Sequence, residues 1–166
     1  MTMKFSNLIA SSIFLALTSC GVKSGEGLCE TPSLTLLAIG DMVPETAVEN
    51  KGSRIMTSPS QDQPHWTYSE CGVNHTLGVD KEGYIQFLAT NDKTIIGPNE
   101  ISVGTSYSDV KRITGRTASY YPGWMHFIPL SNDWKAGFYV ISDSLPKDAR
   151  VNVLIKSSSA GYGQRN

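Results

Sequence analysis

Histidines, cysteines and a scatter of serines and carboxylates are the residues of this 166-residue chain that could do chemistry. His65, His75 and His126 could bind a metal or move a proton. None stands at H-x-x-x-H spacing from another, and no C-x-x-C accompanies them, so no short element brings ligands together. They read as surface or hydrogen-bonded histidines, two of them beside Trp66 and Trp124. No G-x-S-x-G elbow presents a nucleophilic serine, and Gly104-Thr105-Ser106 lacks the rest of a phosphate-binding loop. Asp80 and Glu82 fall in a turn, where carboxylates are solvated. The chain is therefore expected not to be an enzyme, and neither a cofactor nor a metal is expected. A site dispersed along the sequence is the enzymatic alternative, because catalytic triads assemble from distant positions.

The cysteines say more. Lys4 is followed by a mostly apolar run over residues 8–17, then Thr18, Ser19 and Cys20. A basic start, a short apolar run and small residues at its end make a secretory signal, and the run is too short to span a bilayer. Leu17-Thr18-Ser19-Cys20 resembles the lipobox of bacterial lipoproteins. That resemblance implies cleavage before Cys20, a diacylglyceryl group on its thiol and an acylated (palmitate-type) amine, an anchor of several chains. Gly21, rather than Asp, follows the cysteine, which implies the outer membrane, with the protein facing the periplasm of the cell envelope. Cys29 and Cys71 then remain. An even pair in an oxidising compartment reads as a disulfide, worth about 4 kcal/mol in the chain-entropy account.

Size and charge bound the rest. Removing residues 1–19 from 166 leaves 147, enough for one domain with a real core. The whole chain has 14 Lys and Arg against 15 Asp and Glu; loss of Lys4 leaves 13 against 15, a balance of −2. With no basic block, nucleic acid is not an expected partner. Residues 20–33 read as lipidated cysteine and tether, residues 34–156 as one domain, and residues 157–166 as a flexible tail.

Inside the domain two stretches echo each other. Ile39-Gly40-Asp41-Met42-Val43-Pro44-Glu45 matches Val103-Gly104-Thr105-Ser106-Tyr107-Ser108-Asp109 in pattern. Each is an apolar residue, a glycine, spacers and a helix start, with Pro44 at a first helical position and Ser108 as an N-cap. The spacing predicts helices over 44–50, stopping at Gly52, and over 108–114, stopping at Gly115. Pro-x-Trp follows in each copy (Trp66, Trp124), and then two strand-like runs: 75–79 and 84–90 around the turn Asp80-Lys81-Glu82-Gly83, and 134–142 and 150–156. Residues 34–38 read as an extra strand. The fold expected is α+β in two similar halves, 34–93 and 100–156, each a short helix followed by a three-stranded antiparallel meander, with helices on one side of the sheet.

This unit is similar to the small lipoprotein of the outer-membrane β-barrel assembly machinery and to the tandem-repeat β-lactamase inhibitor protein. The likeness rests on Gly104, Ser108, Asp109, Val110, Gly115, Tyr121, Trp124, Phe138 and Val153, and more weakly on Gly40, Pro44, Glu45, Trp66 and Tyr84. It implies a binding role without chemistry.

The aromatic cluster Tyr120-Tyr121-Pro122-Gly123-Trp124-Met125-His126-Phe127, with Trp134 and Phe138, has the composition of a recognition surface. Tyr120, Tyr121 and Trp134 lie near loops and are the protein-binding candidates, while Trp124 reads as core. An alternating strand should bury either Met125 and Phe127 or Trp124 and His126, but not both sets fully. The function expected is a membrane-anchored periplasmic module that binds an envelope or foreign protein. The alternative is an inhibitor or immunity protein against a cell-wall hydrolase or another envelope-attacking enzyme. A carrier of lipophilic ligands ranks lower, because helices on one face leave a short chain little room for a cavity.

Overall fold

Apolar residues alternate in Tyr84-Ile85-Gln86-Phe87-Leu88 and in Val151-Asn152-Val153-Leu154-Ile155, and these two segments form the centre of the molecule. A computed structural model describes residues 37–157. In chain order it contains β1 (Val48–Ser58), β2 (Gln61–Glu70), β3 (Val73–Val79), β4 (Ile85–Thr90), α1 (Tyr107–Thr114), β5 (Ser119–Tyr121), β6 (Met125–Pro129), β7 (Trp134–Phe138) and β8 (Val153–Ser157), with a 3-10 turn at Pro98–Glu100. All eight strands belong to one antiparallel sheet of order β1-β2-β3-β4-β8-β7-β6-β5. Among the described residues, no helix is long and apolar enough to cross a membrane.

This corrects the expected α+β arrangement of two helix-plus-meander halves: the described residues form a single eight-stranded sheet and one α-helix. Residues 44–50 do not form a helix. Ala47 N–H donates to Pro44 O (2.9 Å), closing a turn, and Val48 already begins β1. A helix of seven residues repays its nucleation cost poorly, whereas the same residues gain a ladder against β2, with Val48 opposite Thr67 and Glu49 opposite Trp66. Gly52, at φ +76°, lies where the β1–β2 register shifts between Glu49 and Arg54. It marks a bulge, not a helix stop.

The second helix does form, two residues off the expected cap. Ser106 is the N-cap, its hydroxyl accepting from Asp109 N–H at 3.2 Å. Gly115, at φ +67°, ends the helix as expected. The two echoing glycines do the same local job: Gly40 N–H donates to Ile85 O (2.8 Å) and Gly104 N–H to Val151 O (2.7 Å). Of the expected strand over 34–38, Leu37 and Ala38 are not in a strand, and the remainder lies outside the described residues. β8 runs to Ser157, one residue past the expected end of the domain.

The sheet has two apolar faces. Leu77, Leu88, Leu154, Ala136, Phe138 and Ile128 point to the first, where Val110 of α1 and the loop residues Ile95 and Ile101 cover them. Phe87, Ala89, Val153, Ile155, Met125 and Phe127 point to the second. The sheet curls around this second face. A Cβ on Gly78 of β3 would stand 2.8 Å from Thr57 Cγ2 of β1, so the glycine lets the β1–β2 hairpin fold inward.

Candidate binding cleft

With α1 and the long loops on the first face, the second face is left to be covered by the sheet's own edges. Alternation along β4 and β8 places Phe87, Ala89, Val153 and Ile155 side by side there, with Ala89 paired to Ile155. Gly137 of β7 keeps the floor low: a Cβ would stand 2.7 Å from Val153 Cγ1 and 2.9 Å from Met125 Sδ.

Trp124 lies over this floor. The β5–β6 turn closes by Trp124 N–H donating to Tyr121 O (3.0 Å), with Gly123 at φ +77°. That backbone folds the half-buried indole back onto Phe127, ring centroids 4.7 Å apart, and Tyr121 meets the same phenyl edge-on at 5.6 Å. A cleft of about 390 Å³ opens beside Trp124, lined by Phe87, Ala89, Met125, Val153 and Ile155, by Ile55 and Met56 of β1, and by the polar Thr76, Thr90 and Asn91. Its rim is hydrophobic and open, Tyr139 being 58% and Met56 46% exposed. No acidic or basic side chain lines it. A second hollow of about 190 Å³ shares Trp124 and Ile155 with the first. There Lys135 sends its ammonium to Ser157 Oγ at 3.0 Å. Burial pushes the Lys135 pKa down, and nearby Asp133 opposes this. The volume and the mostly apolar lining with few polar groups match small-molecule sites.

The sequence candidates do not share one surface. Tyr120 lies on the first face, stacked on His126 (4.6 Å), its hydroxyl donating to Ile141 O at 3.0 Å. Tyr121 packs on the second face. Trp134 is only 5% exposed and belongs to the first-face core, which corrects its reading as a contact residue: although it closes the turn that opens β7, its register puts its side chain in the row with Lys156 and Leu88. Trp124, read as core, is instead half-buried and, with Ile155, lines both hollows. On β6 Met125 and Phe127 are both buried and the other set is not, Trp124 being half-buried, although its companion His126 is buried too. Here the sheet is covered on both faces, and His126 Nε2–H donates to Ser142 O at 2.7 Å. The low rank given to a carrier rested on lack of room, and the face away from the helix supplies that room.

His65 accepts or donates at Nδ1 with Ser53 Oγ (3.1 Å) on an exposed strand. His75 is fully buried, and neither ring nitrogen has a hydrogen-bond partner, nor does the buried Glu70 Oε2 nearby. Burial lowers the His75 pKa, with Glu70 and Asp92 opposing. Among the described residues no group of three or more His, Cys, Asp or Glu side chains could hold a metal ion. Cys71 turns the chain between β2 and β3 at φ +53° and is disulfide-bonded. Cys20 and Cys29 lie outside the described residues, as do the expected signal segment 1–19, the tether 20–33 and most of the tail.

No family model matches this chain, and no curated protein matches it. Among solved structures it is similar to the uncharacterized protein yfeY from Escherichia coli, at 14% sequence identity and a TM-score of 0.49, covering 77% of this chain and 99% of that one.

Proposed function

We propose that this chain is a lipoprotein anchored through Cys20 in the outer membrane, facing the periplasm, and that it is a non-catalytic binding module of the cell envelope. The observation that carries the reading is the uncharged cleft of about 390 Å³ beside Trp124. An apolar cleft with an open aromatic and methionine rim supplies contact area without any group arranged for bond making. The binding surface on this reading is the Trp124 face, not the Tyr120–Trp134 loops. The supposed disulfide of Cys29 with Cys71 and the acyl anchor belong to the same proposal.

A second reading, an inhibitor or immunity protein against an envelope-attacking enzyme, is favoured by one feature. Ile141, 94% exposed, stands in the loop that follows β7, and an exposed apolar residue on a loop is what a plug for a catalytic cleft needs.

Crosslinking pull-down from intact envelopes separates the two. Wild type is compared with a rim variant, Met56→Ser with Tyr139→Ala, and with Ile141→Ser. The module reading expects captured material to be lost with the rim variant and retained with Ile141→Ser. The reverse pattern would favour the inhibitor.

A further inference from the structure

We infer that the cleft holds the aliphatic chain of a single-chain amphiphile with an anionic head, the chain lying against Phe87, Ala89, Val153 and Ile155 beside Trp124 and the head at Lys135. The inference rests on the binding-module reading and names its ligand.

Charge decides the occupant. The larger hollow has an apolar floor and no charged side chain, its polar lining being the uncharged Thr76, Thr90, Asn91 and Tyr139, so a charged ligand would lose its hydration there with no counter-charge in return. An aliphatic segment loses nothing. Among the described residues lining the two hollows, Lys135 alone carries a charge. It stands on the same face as the floor residues, directly paired to Ile155 in the β7–β8 ladder. In this hollow it stands among Trp124, Phe127 and Ile155 as well as Ser119 and Ser157, a partly desolvated setting that strengthens its attraction for an anion against the competing Asp133. Along β7 the row Lys135, Gly137, Tyr139 spans roughly 13 Å at about 3.3 Å per residue. The side chains of Val153, Met125 and Phe127 close over the glycine at its middle, and the two hollows meet at the walls they share, Trp124 and Ile155. A ligand with one charged end and an uncharged body fits this order: cation, shared wall, uncharged cleft.

Fluorescence tests it, because Trp124 is the one tryptophan of three on this face. Trp134 lies in the first-face core and Trp66 packs against it. The full chain carrying Cys20→Ser, which removes the anchor, is titrated with dodecanoate and with dodecanol. The expected result is a saturable, one-to-one change in tryptophan emission that disappears in Trp124→Phe. Ala89→Trp fills the cleft and should weaken dodecanoate by at least about tenfold. Val153→Phe, a smaller intrusion, should weaken it in the same direction if Ala89→Trp does not fold. Lys135→Gln should weaken dodecanoate about tenfold while leaving dodecanol unchanged, the size of one charge-assisted contact.

No saturable change, or binding indifferent to both filling variants, overturns the inference. Dodecanoate and dodecanol weakened alike by Lys135→Gln overturns the assignment of the head. Binding by Cys20→Ser but not by lipidated wild type would put the protein's own acyl groups in the cleft and overturn a free ligand. Rim-dependent capture of a protein from envelopes, with no amphiphile bound, leaves the module reading standing and removes this inference; loss of both removes both.

Discussion

Ile55 and Trp124 sit near opposite edges of the sheet and line the same cleft. β1 and β5 are seven strand spacings apart, roughly 34 Å in a flat sheet at about 4.8 Å per spacing. That both side chains reach one cleft requires the sheet to curl into a trough. The curl depends on residues without side chains where strands close in, Gly78 under Thr57 and Gly137 beneath Val153 and Met125.

Gly137 should therefore be sensitive for steric reasons. Gly137→Ala puts a methyl 2.7 Å from Val153 Cγ1, and overpacking of this kind costs about 1–3 kcal/mol. Gly123→Ala meets nothing within 4 Å, and its cost is backbone strain alone at φ +77°, about 1–2 kcal/mol. Urea denaturation gives both stabilities. Near-ultraviolet circular dichroism should change for Gly137→Ala through its aromatic neighbours.

Ser106→Ala should cost about 1 kcal/mol by leaving the first turn of α1 uncapped. Because α1 covers the first face, this loss should leave binding at the Trp124 face unchanged. A denaturation curve together with the dodecanoate titration checks both halves of that statement.

Much of this fold was legible in local residues. Alternation marked β4 and β8, Asp80 to Gly83 made the turn between β3 and β4 with Gly83 N–H donating to Asp80 O at 3.2 Å, and Gly115 ended α1. The stretch after Pro44 was misread because proline and glycine punctuate a turn and a bulge as readily as a helix. β1 and β2 are mostly polar and partly exposed, so their pairing has little apolar signature. The cleft was not legible at all. Alternation says that Met125 and Phe127 share a face, but only the topology says that the helix lies on the other one. The same gap exchanged the roles of Trp124 and Trp134.

His75 should make the fold acid-sensitive. Burial, the largest influence, lowers its pKa below the ordinary 6.5, against the raising pull of Glu70 and Asp92. The unfolded chain thus takes up a proton that the folded chain refuses. Stability is complete above about pH 6.5 and falls as the pH drops below it, by at most about 1.4 kcal/mol per unit. His75→Leu should flatten denaturation midpoints between pH 7 and 5. Since both ring nitrogens lack partners, it should cost little stability at pH 7.

Cys71 should be joined to Cys29. Mass spectrometry of unreduced digests should find that linked peptide pair, and Cys29→Ser should lower stability by about 4 kcal/mol. A Cys20–Cys71 link would contradict both the pairing and the lipid anchor.

The account stands or falls on which face binds. The most direct measurement places a photo-crosslinking residue at Met56, on the rim of the cleft, or at Lys111, on the exposed side of α1, and irradiates intact envelopes. The account expects adducts from Met56, suppressed by Ala89→Trp, and none from Lys111. Adducts from Lys111 alone, or from Met56 without regard to Ala89→Trp, would contradict it.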